Sequence, residues 1–334
     1  VRTGKYLTED KNFFDETPQD ENAVTIDPGM NCTADVVFGW FVKELLYAKE
    51  EDGVLYLDTW QHRAVAVNDE NKLVAKAGSG DCPCKQFTLE VVSSGAERVA
   101  ELAQRADHVI VCAGNQPLIN AREEYDRPDI RLPKAQTALL DAAAAANEST
   151  LLYLVTGYPF AINKEKDTAK AVLCSTHLGP CLGHVAAATV FGENNPAGRT
   201  PTTWYRSVRD LPALDDYDIA KNHVTYLYFR GKPLYAFGYG LSYTTFAYSN
   251  PTVKQENGEV IATINVQNTG ALDGDEVVQL YMSLPSSLRV RPIHALKAFK
   301  RVHIQAGETV TVTLNFKIDD LAVWCNGLSL IHIS

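Results

Sequence analysis

The stretch LPKAQTALLDAAAAANESTLLYLVTG, residues 132–157, decides the fold of this part of the chain. Pro133 stands where a helix can begin without losing a needed N–H, and the Ala- and Leu-rich run after it favours helix strongly. TLLYLVTG then follows as a continuous apolar run, which suits a strand buried on both sides rather than one washed by solvent. The same alternation occurs on either side of it. GAERVAELAQRA (95–106) has apolar residues at helical spacing and runs into the apolar strand HVIVCAG (108–114). KAVLCST (170–176) reads as a third strand, and HLGPCLGHVAAATVFG (177–192) as a helix closed by Gly192. Helices alternating with apolar strands predict a mostly parallel sheet covered on both faces, an α/β sandwich over residues 93–205.

Upstream the texture differs. GKYLTED, VLYLDTW, RAVAVND, KLVAKA and QFTLEVV are short alternating segments separated by Asp, Asn, Gly and Pro, so residues 1–92 are expected to be all-β. Two of these units share a strand, an Asp/Asn turn and a second strand, and they resemble an incomplete fascin-like or other β-trefoil module inserted in the sandwich domain. Trp40, Trp60 and Tyr56 are candidate sugar-stacking rings there, weighed against the commoner role of strand aromatics as core. Downstream, residues 206–245 are rich in Pro, Gly and aromatic side chains and read as an ordered connection. From residue 246 to 326, segments such as VIATINVQN and ETVTVTLNF alternate apolar with polar, as in a fibronectin type III-like β-sandwich that is truncated. GLSLIHIS, residues 327–334, breaks that alternation and is expected to be a non-native tail. The fold class expected is therefore multidomain, α/β plus all-β.

With 334 residues, 46% hydrophobic and 22% charged, the chain is globular and long enough for two or three cores. Its formal net charge of -10 argues against nucleic acid and anionic membrane surfaces, both of which reward clustered Lys and Arg. No run has the length of a membrane span or the form of a signal peptide. The chain begins at Val1, as expected of a piece of a longer one. Seven cysteines are scattered rather than densely spaced. They are expected to stay reduced, with Cys112 and Cys174 acting as small hydrophobes, Cys82 and Cys84 structural, and a cytoplasmic location favoured over export. His177, His184 and Cys181 frame a Gly-containing turn, but their spacing does not suit structural zinc, and no metal or cofactor is expected.

Three strings carry a resemblance. REEYDRPDIRLP (122–133), VFGENNPAGRTPTTWY (190–205) and YLYFRGKPLYAFGYGLSYTTFAY (226–248) resemble, in order and spacing, the C-terminal half of family-three glycoside hydrolases. The resemblance implies a retaining exo-β-glycosidase releasing terminal xylose or glucose from oligosaccharides, with xylose slightly ahead, and no cofactor. It also implies that the nucleophilic aspartate lies on an N-terminal TIM-like barrel absent from these residues, so that this piece alone is inactive. The general acid/base would come from the loop after HVIVCAG. Glu123 is the first choice and Glu124 the second, because the loop is offset by about one residue from the usual motif. Asp126 and Arg127 would be a supporting pair that fixes the loop. The alternative reading is a non-catalytic carbohydrate-binding or scaffolding piece.

Overall fold

A computed structural model describes residues 6–9, 30–34, 46–59, 62–76, 83–91, 93–115, 127, 129–284, 290–325 and 328–331. The chain divides into two compact units, Val1–Arg105 with Asn115–Arg127, and Ala106–Gly114 with Pro128–Ser334.

In the first unit, β1 (Tyr6–Glu9) pairs antiparallel with β2 (Met30–Ala34). Strands β3 (Leu46–Glu51), β4 (Val54–Thr59), β5 (Ala64–Val67) and β6 (Leu73–Lys76) form a four-stranded antiparallel meander. Asp52 and Gly53, with φ of 50° and 78°, make the two-residue turn that puts Glu51 opposite Val54. Positive φ at both positions suits the primed hairpin turns, whose twist matches that of the strands. Val65 and its cross-strand partner Ala75 share one face of β5 and β6 and Ala66 lies on the other, all at most 1% exposed, so both faces are covered here. The β-rich character expected of this region is present, as one strand pair and one meander among the described residues. Trp40 and Trp60 lie outside those residues, and Tyr56 is half-buried in β4. Helix α1 (Gly95–Ala103) starts at Ser94, whose hydroxyl accepts from the Glu97 amide at 3.4 Å. A serine in that place answers one of the amides left open at a helix start.

The second unit opens with β7 (Val109–Gly114), followed by α2 (Lys134–Ala146), β8 (Thr150–Val155), the single turn α3 (Glu165–Thr168), β9 (Ala171–Ser175) and α4 (Leu182–Val190). The three strands are parallel in the order β7-β8-β9, with Val109 opposite Thr150 and Leu151 opposite Ala171. β8 lies between the other two and is the most buried, with Leu152 and Leu154 at 0% exposure. Each such leucine contributes about 1.5–3 kcal/mol over an exposed one. Asn147 closes α2 and ties three elements together. Its amide N–H donates to the Ala143 carbonyl, its Nδ2 to the Ala106 carbonyl before β7, and its Oδ1 accepts from Ser149 before β8.

Two expectations change here. β7 buries Val111 and Ala113 but leaves Ile110 46% exposed, and Cys112 and Cys174 are exposed rather than core. β7 thus buries one side, β9 has no fully buried residue, and only β8 matches the expectation of cover on both faces. The cysteines also depart from a uniformly reduced set, because Cys84 is disulfide-bonded while Cys112, Cys174 and Cys181 are free.

Between this sheet and the C-terminal sandwich, the connection is held by backbone bonds, including Trp204 N–H to the Tyr235 carbonyl and Gly238 N–H to the Thr200 carbonyl. It contains the 3-10 turn Val208–Asp210 and one short α-helical turn, α5 (Thr225–Tyr228). The sandwich sets β10 (Phe246–Glu256), β11 (Glu259–Asn268) and β14 (Thr309–Lys317) in one sheet and β12 (Gly274–Met282) with β13 (Ala295–Ile304) in another. Val266, Val278, Ile304, Val312 and Leu314 form its core. The alternation of β14 is the clearest case, since Val312, Leu314 and Phe316 are buried while Thr311, Thr313 and Asn315 are exposed. Last come β15 (Val323–Cys325) and β16 (Leu328–Ile331), an antiparallel pair. No helix among the described residues is long and apolar enough to cross a membrane.

Candidate active site

Loops that leave the carboxyl ends of parallel strands are where open α/β sheets hold their functional groups. The loop between β7 and α2 is such a loop, and the structure shows how its two ends are held.

At its start, Gly114 has a φ of 139°. A Cβ there would overlap the Val155 carbonyl at the end of β8, so glycine is needed for the two strand ends to approach. Gln136, in the first turn of α2, clamps the same residue. Its Oε1 accepts from the Gly114 N–H and its Nε2 donates to the Gly114 carbonyl, both at 3.0 Å. The end of β7 and the first turn of α2 are therefore joined directly, through Gly114 and Gln136.

The far end is held differently. The Ile130 carbonyl accepts from the Ala161 N–H at 2.8 Å, within the fully buried Phe160–Ile162 stretch after β8. Leu132 is buried just before Pro133. Asp129 and Arg131 form a fork-like pair, with Arg131 Nε 2.6 Å and Nη2 2.5 Å from Asp129 Oδ2. The Arg131 guanidinium holds the Asp129 carboxyl below its ordinary range. Under α2, the hydroxyl of Thr137 donates to the buried Glu165 of α3 at 2.8 Å, and Lys164 pairs with Asp141. These contacts tie the chain to its neighbours on both sides of the helix start.

Glu123, Glu124 and Asp126 lie outside the described residues, while Arg127 is described and half-buried. Gln136 and the Asp129–Arg131 pair were not singled out as functional in the sequence. Gln136 carries no motif of its own, and its role follows only from α2 bringing its first turn to Gly114. Among the described residues no group of three or more His, Cys, Asp or Glu can hold a metal ion. Cys181 and His184 are exposed at the start of α4.

An α/β domain with a parallel three-stranded sheet, followed by a fibronectin-like sandwich, is the class these features define. Residues 20–243 match the glycosyl hydrolase family 3 C-terminal domain, and residues 276–331 match a fibronectin type III-like domain. The chain belongs to glycosyl hydrolase family 3. It is 34% identical over 242 residues to a periplasmic beta-glucosidase of Salmonella typhimurium, covering 68% of this chain and 32% of that protein. It is 26% identical to a beta-xylosidase of Formosa agariphila, covering 97% of this chain and 50% of the relative. Among solved structures, a Bifidobacterium adolescentis GH3 beta-glucosidase superposes with a TM-score of 0.65 at 30% identity, over 72% of this chain and 38% of that one. The chain thus spans half or less of the length of each of these relatives.

Proposed function

We propose that this chain supplies the acid/base half of a retaining β-glycosidase site, with Glu123 as the proton donor and Glu124 as the second choice. The observation that carries the reading is the anchoring on either side of the two glutamates in sequence: Gln136 holds Gly114 before them and the Ala161 backbone holds Ile130 after them, and the whole segment falls within the family match over residues 20–243. A proton donor has to be held within hydrogen-bond reach of the departing oxygen, and fixed segment ends on either side of the glutamates support that role.

Retaining hydrolysis needs a second carboxylate about 5–5.5 Å away to attack the anomeric carbon. In this proposal that aspartate belongs to a barrel domain of the parent protein, outside these 334 residues. Glu123 first protonates the leaving oxygen as the glycosyl ester forms. Its carboxylate then takes a proton from the water that breaks that ester. The neighbouring carboxylate and the closed pocket raise the pKa of the donor so that it stays protonated near neutral pH. Asp126 and Arg127 hold the loop. The substrate class is an oligosaccharide with a terminal β-linked xylose or glucose, in keeping with the names of the relatives.

The test uses the full-length parent protein. Glu123→Ala should lower kcat/KM on unactivated glycosides by about 10²–10⁴-fold. The loss should be smaller with an aryl leaving group, and azide should restore turnover by giving a β-glycosyl azide. If Glu124→Ala shows this pattern and Glu123→Ala does not, the roles are exchanged; if neither does, the loop is not the donor. The 334-residue chain alone should show no turnover of aryl β-xylosides or β-glucosides.

A further inference from the structure

An open groove of about 770 Å³ runs between the connection, from Ala236 to Phe246, and strand β12. Its floor is an ion pair, Arg199 Nη2 to Glu276 Oε2 at 2.7 Å, with side chains 12% and 11% exposed. The remaining Glu276 oxygen accepts from the Tyr248 hydroxyl at 2.8 Å. Gln279 adds an amide, its Nε2 donating to the Gly238 carbonyl and its Oε1 accepting from the Tyr281 hydroxyl.

Two rings on the walls are both exposed and held. Tyr239 is 42% exposed and stacks on Tyr235, with ring centroids 5.1 Å apart and planes 23° apart. Tyr248 is 46% exposed and fixed by its hydroxyl on Glu276. Rings set in advance lose little freedom when a ligand arrives.

The chemistry selects the ligand. One positive and one negative group cancel on the floor, so neither an anion nor a cation is favoured. A protein partner is a poorer match, since interface centres are depleted in charged residues. A neutral pyranose fits both features, because its C–H face lies on an aromatic ring while its hydroxyls meet planar guanidinium, carboxylate and amide groups. We propose that this groove binds a neutral glycan chain, as a non-catalytic site built from the connection and the sandwich. The proposal does not depend on which glutamate, if any, is the proton donor.

The test is native electrophoresis of the 334-residue chain through gels containing neutral arabinoxylan or β-glucan, against gels without polysaccharide and gels with anionic polygalacturonate. At least one neutral polymer should retard the protein, and polygalacturonate should not. Tyr239→Ala should weaken the apparent affinity about tenfold, the loss of one stacking contact, while Tyr239→Phe keeps it. Leu241→Asp is a second variant that threatens the fold little, since Leu241 lines the groove and is 72% exposed. It should also weaken retardation. Glu123→Ala should migrate as the unaltered chain does. The proposal is overturned by absence of retardation in both neutral polymers, by equal retardation of Leu241→Asp and the unaltered chain, or by loss of retardation in Glu123→Ala. It is also overturned if Tyr239→Ala changes self-association and leaves the glycan response intact.

Discussion

Gly114 and Gln136 together show what a single residue does for the loop. Gly114→Ala would force a Cβ against the Val155 carbonyl at a φ of 139°. That should cost about 3 kcal/mol, read as a lower denaturant midpoint. Gln136→Leu keeps the volume and removes both bonds to Gly114, so it should cost about 2 kcal/mol and speed hydrogen exchange of the Gly114 amide. If that exchange is unchanged, the clamp does not hold the strand end. Asn268 plays a comparable part in the sandwich. At 0% exposure it donates to the Leu272 and Ile304 carbonyls and accepts from Thr244 and Gly270. Asn268→Ala should cost about 3 kcal/mol in the same measurement, because four partners lose their bond at once. Neither Gln136 nor Asn268 was legible in the sequence. Each works through partners far away in the chain, and a polar residue near an element end looks alike whether it faces solvent or a buried carbonyl.

Elements were more legible than their surroundings. The Ala-rich run of α2 and the alternation of β14 follow from local preference and period, and both elements form where those signals stand. What local pattern does not tell is how much of each face is covered. HVIVCAG and KAVLCST looked like strands buried on both sides, yet Ile110, Cys112 and Cys174 are exposed. An apolar run reports what a strand can bury, and the neighbouring elements decide what it does bury. Cys84 makes the same point, since its disulfide needs a partner that the Cys-Pro-Cys spacing does not identify. α2 itself offers a test at this scale. Ala143 is at 0% exposure on the side that meets the sheet. Ala143→Leu should push the helix off β7 and β8 and cost about 1–3 kcal/mol, whereas Ala142→Leu, on a half-buried position, should cost less. Equal midpoints for the two variants would mean that the Ala run serves helix propensity alone.

Across the second unit, the sheet domain and the sandwich are joined by a set of polar contacts. Asn195 donates through Nδ2 to the Asp273 carbonyl before β12 and accepts through Oδ1 from Ser242 and Tyr243. Tyr243 in turn donates its hydroxyl to the Thr189 carbonyl at the end of α4. The Arg199–Glu276 pair completes the joint, running from the connection to β12 at 2.7 Å. Taking away one partner of a nearly buried pair leaves an uncompensated charge, which typically costs about 3–5 kcal/mol. Arg199→Met should therefore destabilise strongly, while Arg199→Met with Glu276→Leu should recover most of the loss because no lone charge remains. The joint also predicts cooperativity. With it intact, calorimetry should show the sheet domain and the sandwich unfolding in one transition; with Arg199→Met and Asn195→Ala together, the transition should split in two. A single transition in that double variant would mean that the coupling runs through other contacts, and two transitions in the unaltered chain would mean that the two parts fold independently.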